Sequence, residues 1–311
     1  MKILVTGATG LIGAALMTSL RTGGHTAVAL VRRPPRPGLR RAEVPTAIVG
    51  TQADEANWDP ATGAVDAGAL AGADAVVHLV GETIAQRWTR PKKELIRRSR
   101  IDGTRLLCES LVRAVSSPRL LICASAIGIY GDRGVEWVTE DSQPGAGFLA
   151  EVCRDWETAC APARQKGIRV VNLRLGVVLS ARGGALAKML WPFRLGLGGV
   201  VGSGKQYWSW VALDDVIGAI GHALATERLA GPVNVVAPNP ATNREFTRAL
   251  GRVLGRPTIF PVPALAARLA FGEMADAVLL GGARVEPRRL TETGYSFRFP
   301  ELEPALRHVL G

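Results

Sequence analysis

Residues 2–13 read KILVTGATGLIG. A β-rich run leads straight into three glycines spaced three apart, Gly7, Gly10 and Gly13. The following LIGAALMTSLRT has helical periodicity and is closed by Gly23 and Gly24. This opening constrains the fold more than any other part of the chain. Glycine at 7 permits a tight turn, at 10 it lets backbone approach a pyrophosphate, and at 13 it lets helix and strand pack closely. The free N–H groups of the helix start and its positive dipole end then attract an anion. Strand, glycine turn and helix in that order predict a dinucleotide-binding βαβ unit. Its cofactor contacts are expected at Gly7, Thr9, Gly10, Leu11, Ile12 and Gly13.

The remaining pattern extends that unit. Strands are predicted at 26–31, 46–50, 74–81, 119–125 and 168–176. The run DAVVHLVG (74–81) is apolar throughout, as a strand buried on both faces should be. Helices are predicted at 91–114, with Leu95, Ile96, Leu106, Leu107 and Leu111 as core candidates, and at 148–165. Strands alternating with helices predict a Rossmann-like, doubly wound parallel α/β sheet. After residue 176 the texture becomes glycine-rich and then proline-rich, with helices at 213–226 and 243–254 and one more strand at 231–238. The expected organisation is a nucleotide-binding domain over 1–176, completed by about 209–238, and a smaller, mainly helical substrate-binding domain formed by 177–208 and 239–311.

Composition excludes several alternatives. Hydrophobic residues make up 47% of the 311 residues, which rules out a disordered chain. No apolar stretch approaches the ~20 residues a membrane span needs. The first residues lack a charged segment leading into an apolar core and cleavage site, so the expected location is cytoplasmic. The four cysteines, Cys108, Cys123, Cys153 and Cys160, form no C-x-x-C pair and have no histidine at ligand spacing, so neither metal nor disulfide is expected. The net charge of +11 comes mostly from arginine, since lysine occurs only at 2, 92, 93, 166, 188 and 205. No basic stripe is interleaved with aromatics, so no specific nucleic-acid partner is expected.

TGATGLIG resembles the nucleotide loop of the extended short-chain dehydrogenase/reductases, the epimerase/dehydratase superfamily. Longer stretches narrow the resemblance: NWDP (57–60), VVHLVGETIAQRWT (76–89), SRIDGT (99–104), SAIGIYGDRG (125–134), FLAEVCRDWE (148–157), GSGKQYWSWVALDDV (202–216) and GEMADAVLLGGARVEPRRL (272–290). Together they are similar to the NAD-dependent epimerase-like proteins, whose bacterial members also carry a "cell-division inhibitor" label. The resemblance spans the whole chain.

An acid commonly ends the second strand of an NAD site and bonds the ribose 2′-OH. Here the strand ends Val31-Arg32-Arg33, which suits the 2′-phosphate of NADP, so NADP is favoured over NAD and Arg32 is its expected partner. The alternative places Arg32 and Arg33 in a basic loop with Arg36, Arg40 and Arg41. Val80 and Gly81 lie where the resemblance places the cofactor's flank, and Arg174 where it places the cofactor–substrate junction. His78, inside its strand, is expected to be a hydrogen-bonded core residue.

The resemblance also shows what is missing. Relatives use a Ser or Thr to polarise a substrate oxygen and a Y-x-x-x-K unit to transfer a proton, the Lys lowering the Tyr pKa. A Tyr near its unperturbed ~10 is a poor base at neutral pH. Here those positions read Phe148 and Val152, and the superfamily's Asn reads Arg100. Ser125 remains from the catalytic set, with a strand-tip cap as its other reading. Tyr130, Glu82, Arg100 and Arg87 are the candidates for substitute catalytic roles. Trp208 and Trp210 are assigned to core packing over ligand stacking, and Asp214 and Asp215 to the dipole of a helix start.

The leading expectation is an NADP-binding epimerase or oxidoreductase acting on a small molecule, as monomer or homodimer. The first rival is a non-catalytic NADP sensor; the second, a nucleic-acid-associated protein, rests on charge alone.

Overall fold

Runs of Val, Ile and Leu on either side of each strand centre suit a sheet covered on both faces. The computed structural model describes residues 1–31, 55–59 and 65–311. It begins with β1 (Lys2–Thr6), α1 (Leu11–Thr22), β2 (Thr26–Val31), β3 (Glu55–Asn57), α2 (Ala67–Leu70), β4 (Ala75–His78), α3 (Arg90–Arg113) and β5 (Leu120–Ala126). There follow β6 (Trp137–Val138), α4 (Phe148–Thr158), α5 (Ala161–Gln165), β7 (Arg169–Leu175), β8 (Val177–Leu179) and α6 (Gly184–Arg194). Next come β9 (Tyr207–Trp208), β10 (Trp210–Ala212), α7 (Leu213–Ala225), β11 (Gly231–Val235), β12 (Ala241–Thr242) and α8 (Asn243–Leu254). The chain closes with α9 (Ala264–Phe271), β13 (Arg284–Val285), α10 (Arg288–Glu292) and α11 (Leu302–Leu310).

Seven strands form one parallel sheet in the order β3-β2-β1-β4-β5-β7-β11. The order reverses between β1 and β4, which opens a crevice at their C-terminal ends. Strand side chains alternate between two cores. Val5, Val77 and Ile122 pack with Leu16 of α1 and Ile220 of α7. Leu4, Val76 and Leu121 pack on the other face with Leu107 and Leu111 of α3 and Trp156 of α4.

The structure refines the predicted elements. Strand 74–81 leaves the sheet after His78, and the strand predicted to reach 238 ends at Val235. The helix predicted over 148–165 is two helices, because Pro162 lacks the N–H an interior helical position needs and sits instead in the first turn of α5. Leu95 is exposed, because Ile96, Leu107 and Leu111 define the inward face of α3 and Leu95 falls beside it. The strand predicted over 46–50 lies outside the described residues.

A third core, built from Leu186, Phe193, Trp208, Trp210, Phe246 and Leu306, joins α6, α8 and α11. Both tryptophans are therefore core residues, as the sequence implies. Asp215 does more than face a helix dipole. Its buried carboxylate accepts from the backbone N–H groups of Arg298 (2.7 Å) and Phe299 (2.9 Å) and from the Tyr295 hydroxyl (3.0 Å), which anchors the C-terminal segment to the start of α7.

Candidate functional site: a glycine turn, an under-partnered arginine and a buried polar ladder

The chain leaves β1 through Gly7, whose φ of 69° is the left-handed region that favours glycine. A Cβ there would also lie 3.0 Å from the Leu79 carbonyl, so only glycine fits between the β1 turn and the strand leaving β4. Gly10 N–H donates to the Gly7 carbonyl (2.9 Å) and stands as the extended residue before α1. A Cβ on Gly13 would lie 2.1 Å from the Gly7 oxygen, so this third glycine lets the first turn of α1 press on the loop. No side chain caps α1 and no acid lies in its first turn. The N–H groups of Leu11, Ile12 and Gly13 are at positions that have no intrahelical acceptor. Thr9 and Gly10 are exposed. Leu11 packs beneath the turn before α6: a Cβ on Gly183 or Gly184 would meet it at 3.5 or 3.4 Å.

The opposite wall is Leu79–Glu82. Val80 is half-buried and Gly81 exposed. A Cβ on Gly81 would touch the guanidinium of Arg100 at 3.2 Å, so the missing side chain makes room for that cation. Arg100 donates to the carbonyl of Ile96 in its own helix (3.2 Å) and lies over the Trp156 ring at 5.1 Å. It forms no salt bridge among the described residues, and burial lowers its pKa. Glu82, next to Gly81, is already paired: Lys92 Nζ donates to Oε1 at 2.6 Å, and this bond holds its carboxyl below the usual range. The Glu82 backbone N–H donates to Ser99 Oγ (3.1 Å).

Ser125, Tyr130 and Arg174 come together in one buried network. Ser125, Arg174 and Asn234 are cross-strand neighbours on β5, β7 and β11. Arg174 grips Glu157 of α4 with two prongs, Nε to Oε1 at 2.8 Å and Nη2 to Oε2 at 3.0 Å. Ser125 Oγ donates to the same Oε1 (2.8 Å). Arg174 Nη1 donates to the Tyr130 hydroxyl (2.9 Å), which in turn donates to Asn234 Oδ1 (2.6 Å). Ser125, Tyr130, Arg174 and Asn234 are all buried. Burial raises the Tyr130 pKa against the pull of Arg174. For Arg174, burial alone acts downward, but Glu157 and Tyr130 more than offset it and hold the guanidinium above its ordinary value. Glu140 closes the end of this ladder. Its carbonyl accepts from Arg174 Nη1 (3.1 Å) and its carboxylate from the N–H of Asn234 (3.0 Å), while burial holds its pKa up.

Glu157 is the member that sequence reasoning missed. The signal was available: an arginine inside an apolar strand needs a counter-charge, and Glu157 is an acid in the neighbouring helix.

A second ladder runs one residue pair deeper, through Thr6, His78, Cys123 and Asn172. His78 is fully buried, with Nδ1 at 2.7 Å from Thr6 Oγ1 and Nε2 at 3.1 Å from Thr104 Oγ1. Burial lowers its pKa to about 4, so it is a neutral core group, as the sequence implies. Phe148 and Val152 belong to an apolar cluster with Trp88, Ile96 and Met274, the Phe148 and Trp88 rings meeting edge-on at 5.2 Å. Arg32 lies outside the described residues.

A seven-stranded parallel sheet with a glycine turn at its switch point defines a Rossmann-type α/β protein. The chain belongs to the NAD dependent epimerase/dehydratase family, whose model matches residues 3–236; a domain of unknown function, DUF1731, matches 262–309. It is 43% identical over 308 residues to the Mycobacterium tuberculosis epimerase family protein MT2273, covering 99% of this chain and 97% of that protein. The crystal structure of human epimerase family protein SDR39U1 (isoform 2) with NADPH superposes with a TM-score of 0.86 at 34% identity, covering 99% of both chains. A nucleoside-diphosphate sugar epimerase structure from Corynebacterium glutamicum is 37% identical with a TM-score of 0.77; it covers all of this chain and 58% of that one. No described helix is long and apolar enough to cross a membrane.

Proposed function

We propose that this protein is an NADP(H)-dependent oxidoreductase or epimerase that acts on a small molecule at the mouth of the β1/β4 crevice. The observation that carries the reading is the uncapped first turn of α1, kept open to an anion by Gly7, Gly10 and Gly13. When bound, the nicotinamide supplies or receives a hydride. The N–H groups of Leu11, Ile12 and Gly13 hold the pyrophosphate, with Thr9 at the lip, and Val80 and Gly81 flank the ribose. Arg32 takes the 2′-phosphate. That choice of NADP is supported by the absence of an acid at the end of β2 and by the NADPH in the human relative's structure.

The chemistry then follows from which groups can act. Arg100 is the cation nearest Gly81 without a carboxylate bonded to it. It takes over the positive charge a lysine at position 152 would bring, and orients a ribose hydroxyl or a substrate oxygen. Glu82 is held ionised by Lys92 and orients that corner rather than carrying a proton. Ser125, Tyr130 and Arg174 act from below: with Glu157 they set the floor that the substrate rests on. Phe148 and Val152 carry no proton where relatives place their Tyr and Lys, so a quinone-like or otherwise activated acceptor fits better than a plain ketone or sugar alcohol.

A non-catalytic NADP sensor is the second reading. It is favoured by the apolar packing of Phe148 and Val152 where relatives place their proton-transfer pair.

NADPH and NADH titrations, followed by nicotinamide absorbance with panels of carbonyls, quinones and nucleotide sugars, test both. NADPH is expected to bind more tightly, and Arg32→Ala to weaken it by roughly 1–3 kcal/mol while leaving NADH unchanged. Equal affinities in the unaltered protein overturn the NADP assignment. Tight NADPH binding with no turnover across the panel selects the sensor.

A further inference from the structure

Eight of the thirteen large apolar side chains exposed among the described residues fall between Trp191 and Phe271. Trp191 is 71% exposed, Leu195 56%, Ile259 73%, Phe260 53%, Leu265 67% and Leu269 69%. The two stretches of chain that carry them are tied together. The Val262 N–H donates to the Val200 carbonyl (2.8 Å), Gly196 lies against Pro257, and Gly199 presses on the Phe260 carbonyl so closely that a Cβ there has no room. This joins the end of α6 to the segment that runs into α9. Both helices are tied to the loop that carries Glu82. Lys188 Nζ of α6 donates to the Ala85 carbonyl (3.0 Å), and Arg87 Nη1 donates to the Leu269 carbonyl of α9 (2.8 Å). The apolar face therefore stands beside the crevice mouth.

Its charge selects an occupant. Residues 181–213 contain Arg182, Lys188, Arg194 and Lys205 and no acid; residues 246–272 contain Arg248, Arg252, Arg256 and Arg268 and no acid, and the acids just beyond α9, Glu273 and Asp276, are paired with Lys93 and Arg268. Arg194, Arg248 and Arg256 are exposed and have no salt-bridge partner among the described residues. An apolar face bordered by unpaired cations on a chain of net charge +11 would repel a second copy of itself. It complements a surface that is apolar within and anionic at its boundary, as an anionic lipid bilayer is.

We propose that the α6–α9 face is a peripheral docking surface for anionic lipid bilayers. Trp191, Ile259, Phe260, Leu265 and Leu269 insert at the headgroup boundary, and Arg194 and Arg256 engage lipid phosphates. Such docking lies on the bilayer surface and needs no spanning segment. It is independent of the reaction assigned above. It would let the crevice mouth face a bilayer, where apolar small molecules concentrate.

The test is co-sedimentation of the full chain with phosphatidylcholine vesicles and with phosphatidylcholine–phosphatidylglycerol vesicles, at low and physiological salt, with oligomeric state measured by analytical ultracentrifugation. The protein is expected to sediment with the anionic vesicles, much less with the neutral ones, and less as salt rises. Leu265→Glu and Leu269→Glu should each reduce partitioning roughly tenfold, because each removes a side chain from the apolar boundary. Arg194→Glu with Arg256→Glu should abolish the preference for anionic vesicles. Unchanged thermal midpoints confirm that these exposed substitutions leave the fold intact. No sedimentation with anionic vesicles overturns the proposal. So does a dimer that Leu265→Glu dissociates, which would give the face to a second copy.

Discussion

The Arg174 guanidinium and the Glu157 carboxylate face each other in a two-pronged buried pair, at 2.8 and 3.0 Å, joining β7 to α4 beneath the crevice. Both side chains are largely shielded from water. Removing one partner leaves a buried charge without compensation, so Glu157→Ala is expected to destabilise the fold by about 3–5 kcal/mol. Glu157→Ala combined with Arg174→Met should recover a good part of that loss. Urea denaturation of the three variants measures it; a double variant no more stable than Glu157→Ala would show that the charge pair is not the source of the loss.

The glycine turn makes two different demands. Gly10→Val leaves its nearest obstacle, the Gly7 carbonyl, at 3.2 Å, so the protein should fold while the branched side chain fills the pyrophosphate space. Gly13→Ala forces a Cβ to within 2.1 Å of that same oxygen and should lower both the thermal midpoint and NADPH affinity. Calorimetric NADPH titration beside thermal melts separates the two. Retained affinity in a stable Gly10→Val protein would move the phosphate site elsewhere.

Among mouth and floor residues, Arg100→Ala should reduce turnover most, because its guanidinium lies against Gly81 and is bonded to no carboxylate among the described residues. Glu82→Gln should be milder. Tyr130→Phe removes a buried hydroxyl bonded to Arg174 and Asn234, so its main effect should be on stability, by about 1–3 kcal/mol. Ser125→Ala should slow turnover only modestly. A near-total loss of kcat in Tyr130→Phe at normal stability would return the proton-transfer role to Tyr130.

His78 supplies a pH dependence with a definite sign. Its folded pKa of about 4 lies below the ordinary 6.5, because burial disfavours the charged ring. As pH falls, the unfolded chain takes up the proton first. This contribution is therefore complete above about 6.5 and is lost between 6.5 and about 4. Its limit is roughly 3 kcal/mol. Urea midpoints measured from neutral to mildly acidic pH should fall more steeply for the native protein than for His78→Gln. Parallel curves would remove His78 as the cause.

Local spacing in the sequence was enough to determine the glycine turn after β1. Gly7 is required by its own left-handed φ and Gly13 by the Gly7 oxygen six residues earlier, so the spacing carries both, although the Leu79 carbonyl that also crowds Gly7 comes from far along the chain. The same is true of α3, α7 and α8, whose apolar periodicity is local, and of the buried neutral state of His78, placed mid-strand in an apolar run. The floor of the site was not legible in this way. Ser125, Arg174 and Asn234 are far apart in the chain, and their alignment depends on which strands become neighbours and in what register. A shift of one residue would turn each side chain to the opposite face. Glu157 joins them only because α4 docks over that part of the sheet. The apolar side chains of α6 and α9 likewise look like core residues in sequence. Only the packing of the C-terminal segments shows that the third core takes Leu186, Leu190 and Phe193 from α6 and leaves Trp191, Leu265 and Leu269 facing solvent.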